Sequence, residues 1–426
     1  GYKALFTNTT GSENAGLSDA ALQLNTTGSY NSAAGRGALN VNTTGANNSA
    51  FGYLALSANT TASNNTAVGY QSLMDNTTGA QNTAVGRLAL ANNTTAGENV
   101  AMGSAALLTN TTGTACTALG SSALYSNTTA ANNTAVGANA LSENTTGSVN
   151  TAVGVDALRL NTTGPHNTAV GYKSLDINTT GTLNTALGSN ALLLNTTGDS
   201  NTAVGMQALD SNTTASNNTA VGYVALSTNT TGSALTAIGA AALDANTTGI
   251  DSTAVGVSAL SENTTGNYNV AVGRVALLHN TTASNNTAVG FSAGEFATTA
   301  DDSTFVGFQA GQGITDVKLT GNGNTAVGKD AGLLLQGAAT SNTLVGIYSG
   351  AAITTGVNNT FFGSAAGDAT DDGVGNTAMG AGALGANCGD GNTAVGLEAL
   401  NDVTASDNTA MGHGAGNVIS GGSNNL

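Results

Sequence analysis

Polar and apolar positions along residues 65–81 follow a fixed order that then starts again at Asn82. Asn65-Thr66 is polar, Ala67-Val68 apolar, Gly69 a break, and Ser72-Leu73 (elsewhere mostly Ala-Leu) apolar again. Asn76-Thr77-Thr78-Gly79 closes the unit, with pairs of variable residues between. Numbered from its first asparagine, the unit reads N-T-A-V-G-x-x-A-L-x-x-N-T-T-G-x-x. The position-five glycines fall at Gly35, Gly52, Gly69 and Gly86 and continue in steps of 17 to Gly307. The N-T-T triplet keeps the same step from Asn8 to Asn280. No helix has that period. Short β-branched runs broken by glycine and by N-T-T predict two or three short strands per coil. The fold class is therefore all-β, a parallel β-roll solenoid of coils of 17 residues. Roughly two dozen coils at about 4.8 Å each predict a body about 110 Å long.

Stacking in register places each position above its equivalent. Asn65 and Asn82 are expected to form one ladder of amides bonded to each other, and Asn76 and Asn93 a second. Val68 and Leu73 are expected to fill the interior as continuous columns. The small residues Ala67, Gly69, Ala84 and Gly86 then mark a strip where another subunit could approach closely. Position fifteen is usually glycine (Gly79) but sometimes alanine (Ala62, Ala130, Ala215, Ala283), and those four units carry asparagine at position seventeen (Asn64, Asn132, Asn217, Asn285), while Ala96 is followed by Glu98 there. That swap predicts two alternative turns, with the left-handed residue moved from fifteen to seventeen.

Near residue 291 the pattern changes. Ala-Leu becomes Ala-Gly at Ala293-Gly294 and Ala310-Gly311, N-T-T disappears, and phenylalanine enters position three at Phe305 and Phe361. We divide the chain into regular repeats over 1–290 and an irregular continuation with longer loops over 291–426.

Composition narrows the partners. Eight basic residues against 24 acidic ones leave a net charge of −16 and no cationic stripe to follow a phosphate backbone, which argues against nucleic acid and lipid headgroups. No apolar run approaches the length of a membrane span, and no signal peptide is visible. The chain opens and closes inside repeat units, so it reads as an excerpt of a longer protein. Such an alanine-rich chain without tryptophan builds only a thin core, so coils must lean on each other or on further chains. Cys116 and Cys388 lie too many coils apart to pair within one chain, and are expected to be buried thiols.

The units N-T-A-V-G-x-x-A-L-x-x-N-T-T-G resemble the repeats of bacterial tail-fibre-like surface proteins, closely over 1–290. Through cores such as Asn324 to Gly328 and Asn392 to Gly396 the resemblance extends to the remainder. More loosely they are similar to the N-S-V-A-I-G-x-x-S repeats of trimeric autotransporter adhesin heads. The resemblance implies a homo-oligomeric fibre, a trimer favoured, on an extracellular or cell surface. It implies the shaft or adhesive segment of such a fibre, attaching to a cell-surface or glycan ligand.

Other chemistry is weaker. Each N-T-T is formally an N-glycosylation sequon, but turn and ladder chemistry explains it more simply, and neighbouring coils are too close for every site to carry a glycan. Asp368, Asp371 and Asp372 could supply oxygens to one calcium; no other cofactor is expected, and solvated loop acids are the plainer reading. His166, His279 and His413 stand alone. No nucleophile elbow or paired-carboxylate pattern occurs, so the chain is not expected to be an enzyme. Tyr53, Tyr70, Tyr172, Tyr223 and Phe291 follow position five and offer a sugar-stacking track, against rim packing. The alternative function is an ice-binding or glycan-binding solenoid using its stacked Asn and Thr ranks. Against ice, such faces repeat T-x-T on one side, whereas Thr77 and Thr78 would point oppositely in a strand.

Overall fold

A computed structural model describes residues 1–417 and 422–425. The chain groups into two compact units, Gly1–Thr214 and Ala215–Leu426. Each is a parallel β-solenoid. The first holds twelve strands, from β1 (Ala15–Leu17) to β12 (Thr202–Val204); the second holds twelve more, from β13 (Thr219–Val221) to β24 (Thr409–Met411). Among the described residues each coil contributes one strand of three residues, not two or three. Partners pair parallel at a step of one coil: Thr66 with Thr83, Ala67 with Ala84, Val68 with Val85.

The rest of the coil is turn, yet its amides also bond between coils. Gln71 N–H donates to Tyr53 O at 2.9 Å, Leu73 N–H to Ala89 O at 2.9 Å, and Gln81 N–H to Ser63 O at 3.2 Å. These three residues, at positions seven, nine and seventeen, sit in the left-handed region with φ of 52°, 51° and 62°. For residues with a Cβ that conformation costs roughly 1–2 kcal/mol each. The inter-coil bonds and the burial of the leucine offset it, so a coil is stable only against its neighbours.

The strand's direction differs from the expectation. Ala67 and Ala84 point inward and are fully buried, whereas Val68 points outward and is 38% exposed. The interior is filled by Ala67, Leu73 and their equivalents, with Asn65 and Asn76 beside them. Ala67 and Ala84 therefore cannot touch another subunit. Gly69 and Gly86 serve a different purpose: they turn the chain after the strand, with φ of 137° and 136°. A Cβ on Gly69 would stand 2.4 Å from Gly86 O, so backbone, not a partner chain, occupies that space.

The predicted exchange of turns is also corrected. Gly79 is outside the left-handed region, and position seventeen takes it whatever its residue, as at Asn64 (62°), Val149 (61°) and Leu183 (59°). One turn serves all of these coils, because the amide at seventeen must reach the preceding coil. Position fifteen is small for lack of space: a Cβ at Gly79 would lie 2.1 Å from Ala96 O.

The change of pattern near 291 lies inside the second unit and does not interrupt its sheet, since Ala288 pairs with Phe305. Where leucine at position nine is lost, a larger side chain enters the interior from position three of the same or the following coil. Built on Gly294 or Gly311, a Cβ would meet the Phe305 ring at 2.6 or 2.1 Å, and on Gly367 the Phe361 ring at 2.2 Å. Phe305 and Phe361 are fully buried. One ring thus fills the volume that leucines occupy elsewhere, and glycine relieves the left-handed strain at position nine.

Candidate functional site

The two asparagine ranks are closed to any ligand. Asn65, Asn76, Asn82 and Asn93 are fully buried. At position twelve the ladder runs amide to amide: Asn93 Nδ2 donates to Asn76 Oδ1 at 2.8 Å and to Ala96 O at 2.9 Å. At position one it runs differently. Asn65 Oδ1 accepts from the Asn82 backbone N–H at 2.9 Å, while Asn65 Nδ2 donates to Gly79 O at 3.0 Å. Gly79 O also accepts from Asn76 Nδ2 at 2.9 Å, so both ranks meet on one carbonyl. In these coils each amide has its partners inside the protein, the condition for burying it at low cost; Asn280 Oδ1, Asn286 Nδ2 and Asn376 Nδ2 are buried atoms of the ranks without a hydrogen bond. A sequon asparagine so held presents no nitrogen for glycosylation in the folded coil.

Breaks in the ladder show what the amide contributes. Cys116 replaces asparagine at position one, its Sγ 3.4 Å from Ala130 O and facing the Asn133 amide. Burial raises the pKa of this thiol, and likewise that of Cys388. Both are unpaired and buried. Sulfur is a weak acceptor, so Cys116→Asn is expected to restore the rung and to stabilise the chain by about 1 kcal/mol. Chemical denaturation of the two proteins side by side would measure it; a loss of stability would show that the pocket at 116 does not admit an amide.

The aspartates do not gather. Asp371 receives a hydrogen bond from the Thr354 hydroxyl. Asp368 is partly buried, which raises its pKa. Among the described residues no group of three or more His, Cys, Asp or Glu is placed to hold a metal, so Asp368, Asp371 and Asp372 are not a ligand cluster. His279 lies 2.9 Å from Glu262, close but poorly aligned for a hydrogen bond, and stacks on Phe296 at 4.9 Å. A shallow groove of about 320 Å³ lined by Ala80, Gln81, Thr95, Gly97, Glu98 and Thr114 contains one carboxylate and no second titratable group.

What remains is surface, in two rows. The first is position six, just past the glycine. Tyr53 and Tyr70 stack at 5.4 Å, and Phe291 and Phe308 at 5.3 Å. Arg274 lies over Phe291 at 5.7 Å, and Lys329 lies 5.8 Å from the Phe308 ring centre and 4.7 Å from that of Tyr348. In these pairs one face of each ring turns toward its neighbour, and Phe291, Phe308 and Tyr348 also meet a cation. Aromatic, Met and Arg side chains such as Tyr70, Tyr172, Met206 and Arg274 share this row, and Tyr70, Tyr172 and Met206 are about half exposed.

The second row is the outer face of the sheet. Nineteen of the 24 strands begin with threonine, and the others with Ser, Ala or Val. Fourteen end with valine and nearly all the rest with Leu, Ile, Met or Phe; none begins or ends with a charged residue. The threonines at position thirteen donate to the next coil, as Thr77 Oγ1 does to Thr94 O at 3.0 Å. The strand threonines do not. Among the described residues none of their hydroxyls, Thr66 and Thr83 included, makes a hydrogen bond within the chain. Sequence reasoning missed this face because it put the valine inside. Alternation from the buried Asn65 would have placed Ala67 in and Val68 out. No family model and no curated protein matches the chain.

Proposed function

We propose that this chain is the shaft or adhesive segment of an extracellular or cell-surface fibre, assembled from identical chains. The observation behind the reading is that nearly every conserved choice within the repeat serves the coil-to-coil bond. Both asparagine ranks, the position-thirteen hydroxyls and the turn amides bond to a neighbouring coil, so length grows by repetition alone. The resemblance to tail-fibre-like and adhesin repeats supports the same reading and favours a trimer. The position-six row is the surface we assign to association, because aromatic, Met and Arg side chains are those enriched at protein interfaces. It replaces the strip at Ala67 and Ala84.

Light scattering of the purified chain is expected to return a multiple of 41.2 kDa, three-fold for a trimer. Tyr53→Glu with Tyr70→Glu should shift it toward the single-chain mass. A monomer at all micromolar concentrations sinks the assembly. The location is tested separately: antibody should decorate intact cells that carry the protein, and labelling only after lysis sinks the surface reading.

A further inference from the structure

We propose that the outer sheet face of each unit binds a crystalline water surface, the rows of strand threonines and valines acting as an ice-matching lattice. This goes beyond the fibre reading and stands on different residues. Three properties of the face carry it.

The first is regularity in two directions. Pairing at a constant one-coil register, as in Thr151 with Thr168 and Val153 with Val170, stacks position two on position two and position four on position four, and 13 of the 24 strands carry both the threonine and the valine. The resulting net measures about 4.8 Å between coils and about 6.7 Å along the strand. Both spacings are close to oxygen spacings on the prism face of ice. The second is the state of the hydroxyls. They are uncommitted within the chain, unlike those at position thirteen, and so each of the 19 offers a donor and acceptor on an otherwise largely apolar surface. The third is the absence of charge. Charged side chains hold their own hydration shells, which disorder water around them; no strand begins or ends on one.

The same composition makes the face a poor anchor for a protein. Thr and Val are under-represented among the residues that dominate protein interfaces, and a flat repeat offers few distinctive pockets. A repeating ligand is what a repeating face selects. The objection drawn from Thr77 and Thr78 falls away, because the matching pair is Thr66 and Val68, both on one side of the strand.

The test uses the full chain in three forms: unaltered, Thr151→Tyr/Thr168→Tyr on the face, and Thr146→Tyr/Thr163→Tyr at the exposed threonines of position fourteen. Circular dichroism and light scattering report whether each form keeps its fold and assembly, and all three are expected to. The unaltered chain and the position-fourteen variant are expected to lower the freezing point below the melting point, to facet growing ice and to partition into it. The face variant is expected to lose all three effects. The proposal is overturned if the unaltered chain leaves ice growth unchanged, or if both variants lose the effect equally. It is also overturned if the face variant alone changes the mass in solution, since the face is then an interface between chains.

Discussion

Asn161→Ala is expected to destabilise the first unit by roughly 3–5 kcal/mol, more than the loss of a surface contact could explain. Asn161 is fully buried at position twelve. Its Nδ2 donates to Asn144 Oδ1 at 2.8 Å and to Gly164 O at 2.9 Å, and its Oδ1 accepts from Asn178 Nδ2 at 2.8 Å. Alanine removes all three bonds. Gly164 O keeps the bond from Asn150 Nδ2, and Asn178 Nδ2 keeps Gly181 O, but Asn144 Oδ1 is left buried with no donor. An unsatisfied buried acceptor costs about 1–3 kcal/mol, to which the lost bonds and the empty volume add. Because each coil touches only its neighbours, the damage should be local. Hydrogen exchange should show amides of coils 133–149, 150–166 and 167–183 losing protection while those near Ala33 keep theirs. Uniform loss across the unit would show that coils do not behave as nearest-neighbour elements, and no loss would mean that the ladder is ornamental.

Gly154→Ala is the second large effect, expected at about 3 kcal/mol. Gly154 has φ of 138°, where a Cβ clashes with the residue's own backbone, and the added atom would stand 2.4 Å from Gly171 O. Backbone cannot rotate away as a side chain can, so adjacent coils must separate. Of the 24 strands, 23 are followed by glycine here; Ser18, after β1, is the exception, with its φ drawn in to 117°. Thermal unfolding followed by circular dichroism would detect the change, and a melting point equal to the parent would refute the clash. Ser18 predicts that serine at 154 is tolerated no better than alanine, since its own coil had to depart from the common geometry.

The ladders, the period and the leucine column were legible in the sequence for one reason: each is a long run of identical residues at a fixed step. Repetition at 17 residues permits few structures other than stacked coils, and identical residues stacked at one-coil spacing must bond or pack with each other. The change near 291 was legible too, as a gain of Phe305 and Phe361 with the loss of leucine at position nine. Its meaning was not, because the exchange makes sense only once both positions are known to face one interior. That pairing was also the available clue to the strand's direction, since the large residues at position three (Phe305, Leu344, Phe361) come only with glycine at position nine, whereas position four is large also in coils that keep the leucine, as at Phe51 and Met102.

Tertiary structure decided what hydrophobicity alone misjudges. A three-residue strand offers only two orientations, and valine is the more apolar choice for a core. The interior between strand and opposite turn, however, already holds leucine, and it leaves room for a methyl group. So alanine goes in, valine goes out, and the chain acquires an uncharged threonine and valine face. The sequence by itself determined that coils stack and how they bond; the width of the coil, set by packing across it, decided which residues meet the world outside.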